Sequence, residues 1–308
     1  MFLSVIIPLK NEAESLGSLY QRLKPVLTGL GGSHEILFVN DGSTDNSAAV
    51  IKTLAQKDPS VKVITLSRNF GHEAATTAGL DHARGDAAVL IDADLQDPPE
   101  VIPEMVERWK AGSHVVYARR RVREGEPLFR RVSAWFFYRI VNFLSDIHLP
   151  VDTGDFRLMD RSVVEAVRGL REQSRYVRGL VTWVGYTQDG IDYEREPRVS
   201  GKSEYNPLKL LLLAFDAVTG FSILPLRIVA LTGLAVTLFS FLAVAVVVTQ
   251  KLFFGLAVPG YAFLTSGLFF LGGTQLLFLG LIGEYVGKIY RQVQNRPLYI
   301  INAEESLL

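Results

Sequence analysis

The stretch VLIDADLQDPPE, residues 89–100, ends an apolar run in two carboxylates spaced two apart, Asp92 and Asp94. In an extended chain, residues i and i+2 point to the same side. Two carboxylates facing one way repel unless a cation lies between them or one is protonated. A hard divalent ion resolves that conflict, and Mg²⁺ favours one or two carboxylates completed by phosphate oxygens of a substrate. Gln96, on the same side if the extension persists, adds a neutral oxygen ligand or a donor. Pro98 and Pro99 are expected to end the strand and fix the loop. A lone Asp-x-Asp is a weak signal; the apolar strand before it, the glutamine and the double proline strengthen it.

Other polar clusters stand at comparable places. In FVNDGSTDNS (38–47), Asp41 and Gly42 predict a turn, and Ser43, Thr44 or Asp45 caps the next helix. Asp41 at a strand end can also accept hydrogen bonds from a nucleobase. SRNFGHEAATTAGLDHARG (67–85) predicts a glycine turn, a helix start near His72 and a stop at Gly85. The chain has neither Gly-x-Gly-x-x-Gly nor a Walker lysine motif, which removes support for dinucleotide binding and P-loop phosphoryl transfer. His34, His82, His114 and His148 have no partner at metal-ligand spacing and are expected to be structural or exposed.

The elements that must position these residues follow from the apolar pattern. Short runs at 3–8, 35–40, 61–66, 87–92 and 114–118 predict strands; 12–28, 45–57, 72–83 and 99–110 predict helices. This alternation implies an α/β fold with a mainly parallel sheet and helices on both faces. Ligands of such sheets bind beyond the carboxyl ends of the strands. PLKNE, NDGSTD, SRNFGHE and DADLQD all fall at those ends.

The chain has 308 residues, 48% hydrophobic, with a formal net charge of zero and no cysteine. It therefore has no global bias toward nucleic acid, no disulfides, and only oxygen or histidine ligands for a metal. The N-terminal MFLSVIIPLKNE reads as a first strand rather than a leader. Residues 228–250 carry no charge, and as a helix they would extend roughly 34 Å, enough for a bilayer core. After Lys251, residues 252–283 are again uncharged, with a break at Gly255, Pro259 and Gly260. A helical hairpin with spans near 226–250 and 262–285 is expected. Arg227, Lys288, Arg291 and Arg296 flank the spans, which puts both ends and the N-terminal domain in the cytoplasm. Glu284 is expected to pair with Lys288 one turn on. Residues 128–146 and 205–227 mix aromatic or apolar residues with cations, including Lys209 and Arg227. They suit helices lying along a membrane face or amphipathic packing onto the sheet.

SVIIPLKNEAESL, VNDGSTD, LSRNFGHE and DADLQDPPE, in this order, resemble family 2 glycosyltransferases of the GT-A fold, a Rossmann-like architecture. TGDFRLMDRSVV (153–164), RGLVTWVGY (178–186), RVSGKSEYNPLKL (198–210) and LIGEYVGKIY…RPLY (281–299) extend the resemblance to the polyprenyl-phosphate glycosyltransferases over nearly the whole chain. VNDGS for the commoner VDDGS, and His72 where many relatives have Lys, resemble the bactoprenol glucosyltransferase branch. The resemblance implies a GT-A domain at 1–204, a juxtamembrane amphipathic region at 205–227, two transmembrane helices within 228–285 and a cytoplasmic tail at 286–308. It implies that Pro8, Asn11, Glu12 and Asp41 line the base and ribose of a nucleotide sugar. Asp92, Asp94 and Gln96 would hold Mg²⁺ or Mn²⁺ on its diphosphate. Asp155 would face the acceptor as the base, with Asp94 also catalytic. Arg120, Arg131, Arg198 and Ser203 would hold the lipid phosphate. It further implies an integral protein of the bacterial inner membrane and a homotetramer.

The implied reaction inverts the anomeric carbon of a nucleotide sugar, with a lipid phosphate oxygen as nucleophile. A phosphate monoester has its second pKa near ~6, so a strong general base is unnecessary and Asp155 has orientation as an alternative role. Bringing two anions together needs cations on the acceptor side, and arginine suits phosphate. ARRRVREGEPLFRR (118–131) supplies six arginines, some expected to serve only a solvated or lipid-attracting face. Glucose from UDP-glucose and undecaprenyl phosphate are the favoured substrates. Mannose from GDP-mannose and an amino sugar are the alternatives; a processive polysaccharide synthase and an inactive membrane scaffold are further rivals.

Overall fold

The computed structural model describes residues 1–120, 153–194, 222, 224–254 and 260–307. The chain forms two units: Met1–Tyr138 with Ile147–Lys209 and Arg296–Leu308, and Arg139–Asp146 with Leu210–Asn295.

In the first unit the predicted strands form β1 (Phe2–Leu9), β2 (Ser33–Asn40), β3 (Val61–Thr65), β4 (Ala87–Leu90) and β5 (Val115–Arg120). Two strands were not foreseen: β6 (Thr153–Asp160) and β7 (Gln188–Tyr193). The sheet order is β3-β2-β1-β4-β6-β5-β7. β1 to β4 are mutually parallel and β5 is parallel to β7, whereas β6 runs antiparallel to both of its neighbours, β4 and β5. The fifth predicted strand is thus separated from the fourth by a strand far along the chain. β1 is buried from Leu3 to Leu9, as expected of a parallel strand covered on both faces.

The predicted helices form α1 (Ala13–Gly29), α2 (Ser47–Lys57), α3 (His72–His82) and α4 (Ile102–Lys110). They are joined by α5 (Arg161–Gly169) and α6 (Val177–Trp183). Leu16, Leu19, Leu23 and Leu27 of α1 form one buried stripe against the core; each such side chain contributes about 1.5–3 kcal/mol. α3 buries small residues instead. A Cβ on Gly79 would lie 2.2 Å from Ile6 Cγ2, so glycine there lets α3 approach β1 closely. At the other end of α3 stands His72.

The strand carrying Asp92 and Asp94 is shorter than expected. β4 ends at Leu90, and residues 93–95 turn, with Leu95 at φ 61°. Pro98 and Pro99 therefore do not terminate the strand. They open a 3₁₀ turn (Pro99–Val101) that leads into α4, where proline's fixed φ and missing N–H are tolerated.

The tail returns to β3. Leu307 bridges Val63 and Ile301 bridges Leu66 in the antiparallel sense. Asn302 N donates to Thr65 O, and Ser67 N donates to Ile300 O. Tyr299 Oη donates to Asp81 of α3 at 2.8 Å. An exposed strand edge is thereby covered.

In the second unit, α7 (Leu224–Phe254) and α8 (Tyr261–Val293) are the long helices. Leu224–Gln250 and Gly267–Val293 are each long and apolar enough to cross a membrane. Thr232, Thr237, Ser240 and Thr249 donate their hydroxyls to carbonyls four residues back, which satisfies them without water. Glu284 lies 3.8 Å from Arg291, two turns on. The expected membrane-face helix at 128–146, most of that at 205–227, and the break at residues 255–259 lie outside the described residues.

Candidate active site

A cavity of about 420 Å³ opens beyond the carboxyl ends of the parallel strands. Pro8, Leu9, Lys10 and Glu12 line it from the end of β1, and Asp41 from the end of β2. Asn69, Gly71, His72 and Ala75 come from the loop after β3 and the start of α3. Asp92, Ala93 and Asp94 come from beyond β4, and Asp155 from the beginning of β6.

The antiparallel direction of β6 explains Asp155. Leu90 pairs with Arg157; two residues further, the same register sets Asp155 opposite Asp92. A parallel strand there would have carried its first residues to the other end of the sheet.

The Asp41 carboxylate is engaged by the loop after β3. Its Oδ1 accepts from Phe70 N at 2.7 Å and its Oδ2 from Gly71 N at 2.9 Å. Asp41 thus fixes the backbone that leads into His72. Gly42 sits beneath the same loop at φ 63°, and a Cβ there would meet the Arg68 carbonyl carbon at 2.7 Å. Asn11 does not line the cavity; its Oδ1 accepts from Thr44 N at 2.8 Å, and its own N–H donates to Ser43. It therefore organises the NDGSTD loop. Of the three proposed caps, Asp45 does the work, accepting from Ser47 N at the start of α2.

Asp92 and Asp94 reach one cavity although their segment is a turn rather than a strand. Asp94 Oδ1 accepts from Gln96 N at 3.1 Å. Gln96 is not among the lining residues; its backbone N–H is the group shown on Asp94. Below the loop, Asp97 is fully buried and accepts from Tyr193 Oη, and Tyr193 packs edge-on against Phe156. The loop is anchored to β6 and β7 through this contact.

Asp155 is held on both oxygens. Arg178 Nη2 lies 3.0 Å from Oδ1, and His72 Nε2 lies 3.4 Å from Oδ2. His72 Nε2 is also 3.9 Å from Asp92 Oδ1. Burial disfavours the charged imidazole, but Asp155 and Asp92 outweigh it and raise His72 to about 9. Burial likewise disfavours ionised Asp155, yet His72, Arg178 and Arg157 hold its carboxyl well below the usual range. Asp92 is pushed up to about 6, first by burial and then by Asp155, Asp97 and Asp94, against the opposing charge of His72. A desolvated carboxylate among carboxylates fits a hard cation. The ligand atoms of His72, Asp92 and Asp155 lie within 4.8 Å of one another.

His72, Glu73, Arg178 and Asp97 were not singled out for the site. His72 was visible as a helix start after a strand-end motif, but no spacing connects residue 72 with 155 or 178. Arg120 ends β5 opposite Tyr193; Arg131, Arg198, Ser203 and His148 lie outside the described residues. His34, His82 and His114 contact Lys24, Ala78 O and Thr187 respectively, consistent with structural roles.

A parallel-sheet α/β unit with one antiparallel strand delivering a carboxylate to a strand-end aspartate pair defines a glycosyltransferase of the GT-A fold. The chain belongs to glycosyl transferase family 2, whose sequence profile matches residues 4–168. It is 45% identical to an uncharacterized glycosyltransferase of Bacillus subtilis, over 97% of this chain and 92% of that one. It is 43% identical to the SfII prophage-derived bactoprenol glucosyl transferase of Shigella flexneri, over 98% and 97%. Among solved structures it is similar to glucosyl-3-phosphoglycerate synthase from Mycobacterium tuberculosis in complex with Mn²⁺, UDP-glucose and phosphoglyceric acid. That TM-score is 0.50 at 20% identity, over 71% of this chain and 77% of that chain, a likeness of fold alone.

Proposed function

We propose that this enzyme transfers one glucose from UDP-glucose to a polyprenyl phosphate at the cytoplasmic face of a membrane, with inversion at the anomeric carbon. The observation that carries the reading is the single cavity in which Asp92 and Asp94 meet Asp155. The near full-length similarity to a bactoprenol glucosyl transferase supports the acceptor class and the sugar. Two helices long enough to cross a bilayer suit an acceptor that resides in one, and the cations flanking them support the orientation.

Asp92 and Asp94, with Gln96, would hold Mg²⁺ or Mn²⁺; His72 would reach the same ion only as the neutral imidazole, and Asp155 lies beside it. When bound, the ion neutralises charge developing on the leaving diphosphate. Pro8, Asn11, Glu12 and Asp41 would line the nucleotide. An acceptor phosphate oxygen attacks the anomeric carbon as the bond to the diphosphate breaks, releasing UDP. The nucleophile is deprotonated near neutrality, and Asp155, held ionised between two cations, is a poor proton acceptor. Its role is orientation. Arg120, Arg131, Arg198 and Ser203 remain the proposed acceptor ligands contributed by the stretches around residues 120–131 and 198–203.

Membranes carrying the protein, supplied with radiolabelled UDP-glucose and undecaprenyl phosphate, are expected to form a charged glycolipid and release UDP. No product with any nucleotide sugar would refute the reading. Asp94→Ala is expected to lower turnover by about a hundredfold or more with unchanged thermal unfolding; full activity refutes the metal assignment.

A further inference from the structure

α6 follows Tyr176, whose side chain makes no capping bond. The first N–H groups of a helix have no partner within it, and a serine, threonine, aspartate or asparagine at the cap commonly supplies one. Here the partner comes from 104 positions away: Glu73 Oε2 accepts from Val177 N at 2.8 Å. Glu73 itself stands in the first turn of α3, so one bond joins the starts of two helices. Val177, Leu180 and Val181 are buried. Their burial packs α6 without direction, whereas the Glu73 bond has a required geometry and sets where α6 begins.

The residues next to this bond hold Asp155. His72 precedes Glu73, and its Nε2 lies 3.4 Å from Asp155 Oδ2. Arg178 follows Val177, and its Nε and Nη2 lie 3.3 and 3.0 Å from Asp155 Oδ1. The contacts close a ring: Glu73 to Val177, Arg178 to Asp155, Asp155 to His72, and His72 to Glu73 along the chain. Arg157 is buried and donates to the carbonyls of Gly154 and Asp155, which fixes the local backbone. The main chain of Asp155 is thus set by β6, and the direction of its carboxylate by two helix starts. Neither Glu73 nor Arg178 is among the cavity-lining residues; Asp155 is.

Resting on the proposed transfer reaction, we infer that Glu73 is a positioning residue. By docking the start of α6 on the start of α3, it brings Arg178 and His72 onto the two oxygens of Asp155 and so aims that carboxylate into the cavity. The bond to Val177 needs only an acceptor oxygen, so it depends on the charge of neither Glu73 nor His72. Without it the first turn of α6 loses its partner and is free to fray, and Arg178 moves with that turn. A misplacement of about 1 Å in a group that orients a reactant is enough to lower turnover about a hundredfold.

The test uses the full chain in detergent, with glucosyl transfer, calorimetric binding of UDP with Mg²⁺, and amide hydrogen exchange. In the wild-type protein the Val177 amide is expected to exchange slowly; exchange as fast as in an unbonded loop overturns the inference without any variant. Glu73→Met keeps the side chain's length and removes the acceptor oxygen. It is expected to lower kcat about tenfold or more, to leave UDP affinity within about twofold, and to speed exchange at Val177 while the amides of β1 stay protected. Glu73→Gln, which retains an acceptor oxygen, is expected to recover most of the turnover; a loss equal to that of Glu73→Met overturns the role of the bond. Arg178→Gln is expected to lower turnover by itself and to add little to Glu73→Met, because both act through Asp155. Additive effects overturn that coupling. Full turnover by Glu73→Met, or an equal fall in UDP affinity, overturns the inference and leaves the proposed function standing. A wild-type protein that transfers no sugar overturns the proposed function, whereas slow Val177 exchange that Glu73→Met releases still supports the docking of α6 by Glu73.

Discussion

Asp92 is the residue whose surroundings conflict most. It is desolvated, faces three other carboxylates, and is relieved by the imidazole of His72. Its folded-state pKa, about 6, lies above the ordinary carboxylate range. The sign of the linkage follows: its contribution to stability is full in acid and is lost as pH rises through about 6. A divalent ion bound by the ionised carboxylate removes that loss, while a proton competes with the ion below about pH 6. Added Mg²⁺ is therefore expected to raise the melting temperature more at about pH 8 than at about pH 5. Scanning calorimetry at both pH values checks this; an equal or reversed effect removes Asp92 from the ion's ligands. His72 titrates in the opposite setting: raised to about 9 by its carboxylates, it adds stability below its ordinary pKa that is lost as pH rises through about 9.

At the scale of elements, two segments do more than their local sequence announces. β6 inserts antiparallel between β4 and β5, which brings Asp155 to the ligand edge of a sheet built otherwise from parallel pairs. The C-terminal tail lies along β3 and adds main-chain bonds to Val63, Thr65 and Ser67. Each such bond contributes on the order of 1 kcal/mol net, and the ordering of the tail offsets part of the sum. Removal of residues 297–308 is expected to lower the melting temperature by about 5 °C and to speed hydrogen exchange at Val63 and Ser67, while the amides of β1 stay protected. Exchange at β3 unchanged from the full chain would show that the tail does not guard this edge.

At the scale of the whole molecule, one chain combines a GT-A unit with two helices whose large apolar side chains are exposed, among them Leu231, Phe239, Leu268 and Phe269. Exposed apolar surface on this scale marks an apolar solvent or partner. The proposed orientation has a direct test because the chain has no cysteine. In intact cells, Ala257→Cys, between the two helices, is expected to react with a membrane-impermeant maleimide. Glu304→Cys, in the tail, is expected to react only after permeabilisation. The reverse pattern would place the catalytic unit on the other side and remove the nucleotide sugar from reach.

The sequence by itself determined the α/β class, four parallel strands, the strand-end motifs and the two long apolar helices. These rest on local periodicity and on residue types that carry their own chemistry, such as paired aspartates after an apolar run. It also pointed to Asp155, through motif resemblance rather than any physical pattern in the surrounding residues. Only the tertiary structure decided that β6 enters antiparallel, that Asn11 organises a loop, that the Gln96 N–H bonds Asp94, and that His72 and Arg178 hold Asp155. Such contacts join Asp155 to Arg178, 23 positions away, and residues of β4 and α3 to β6 from much further along the chain, where neither a period of 2 nor one of 3.6 carries information. The order in which strands assemble across the sheet settles which of those residues meet.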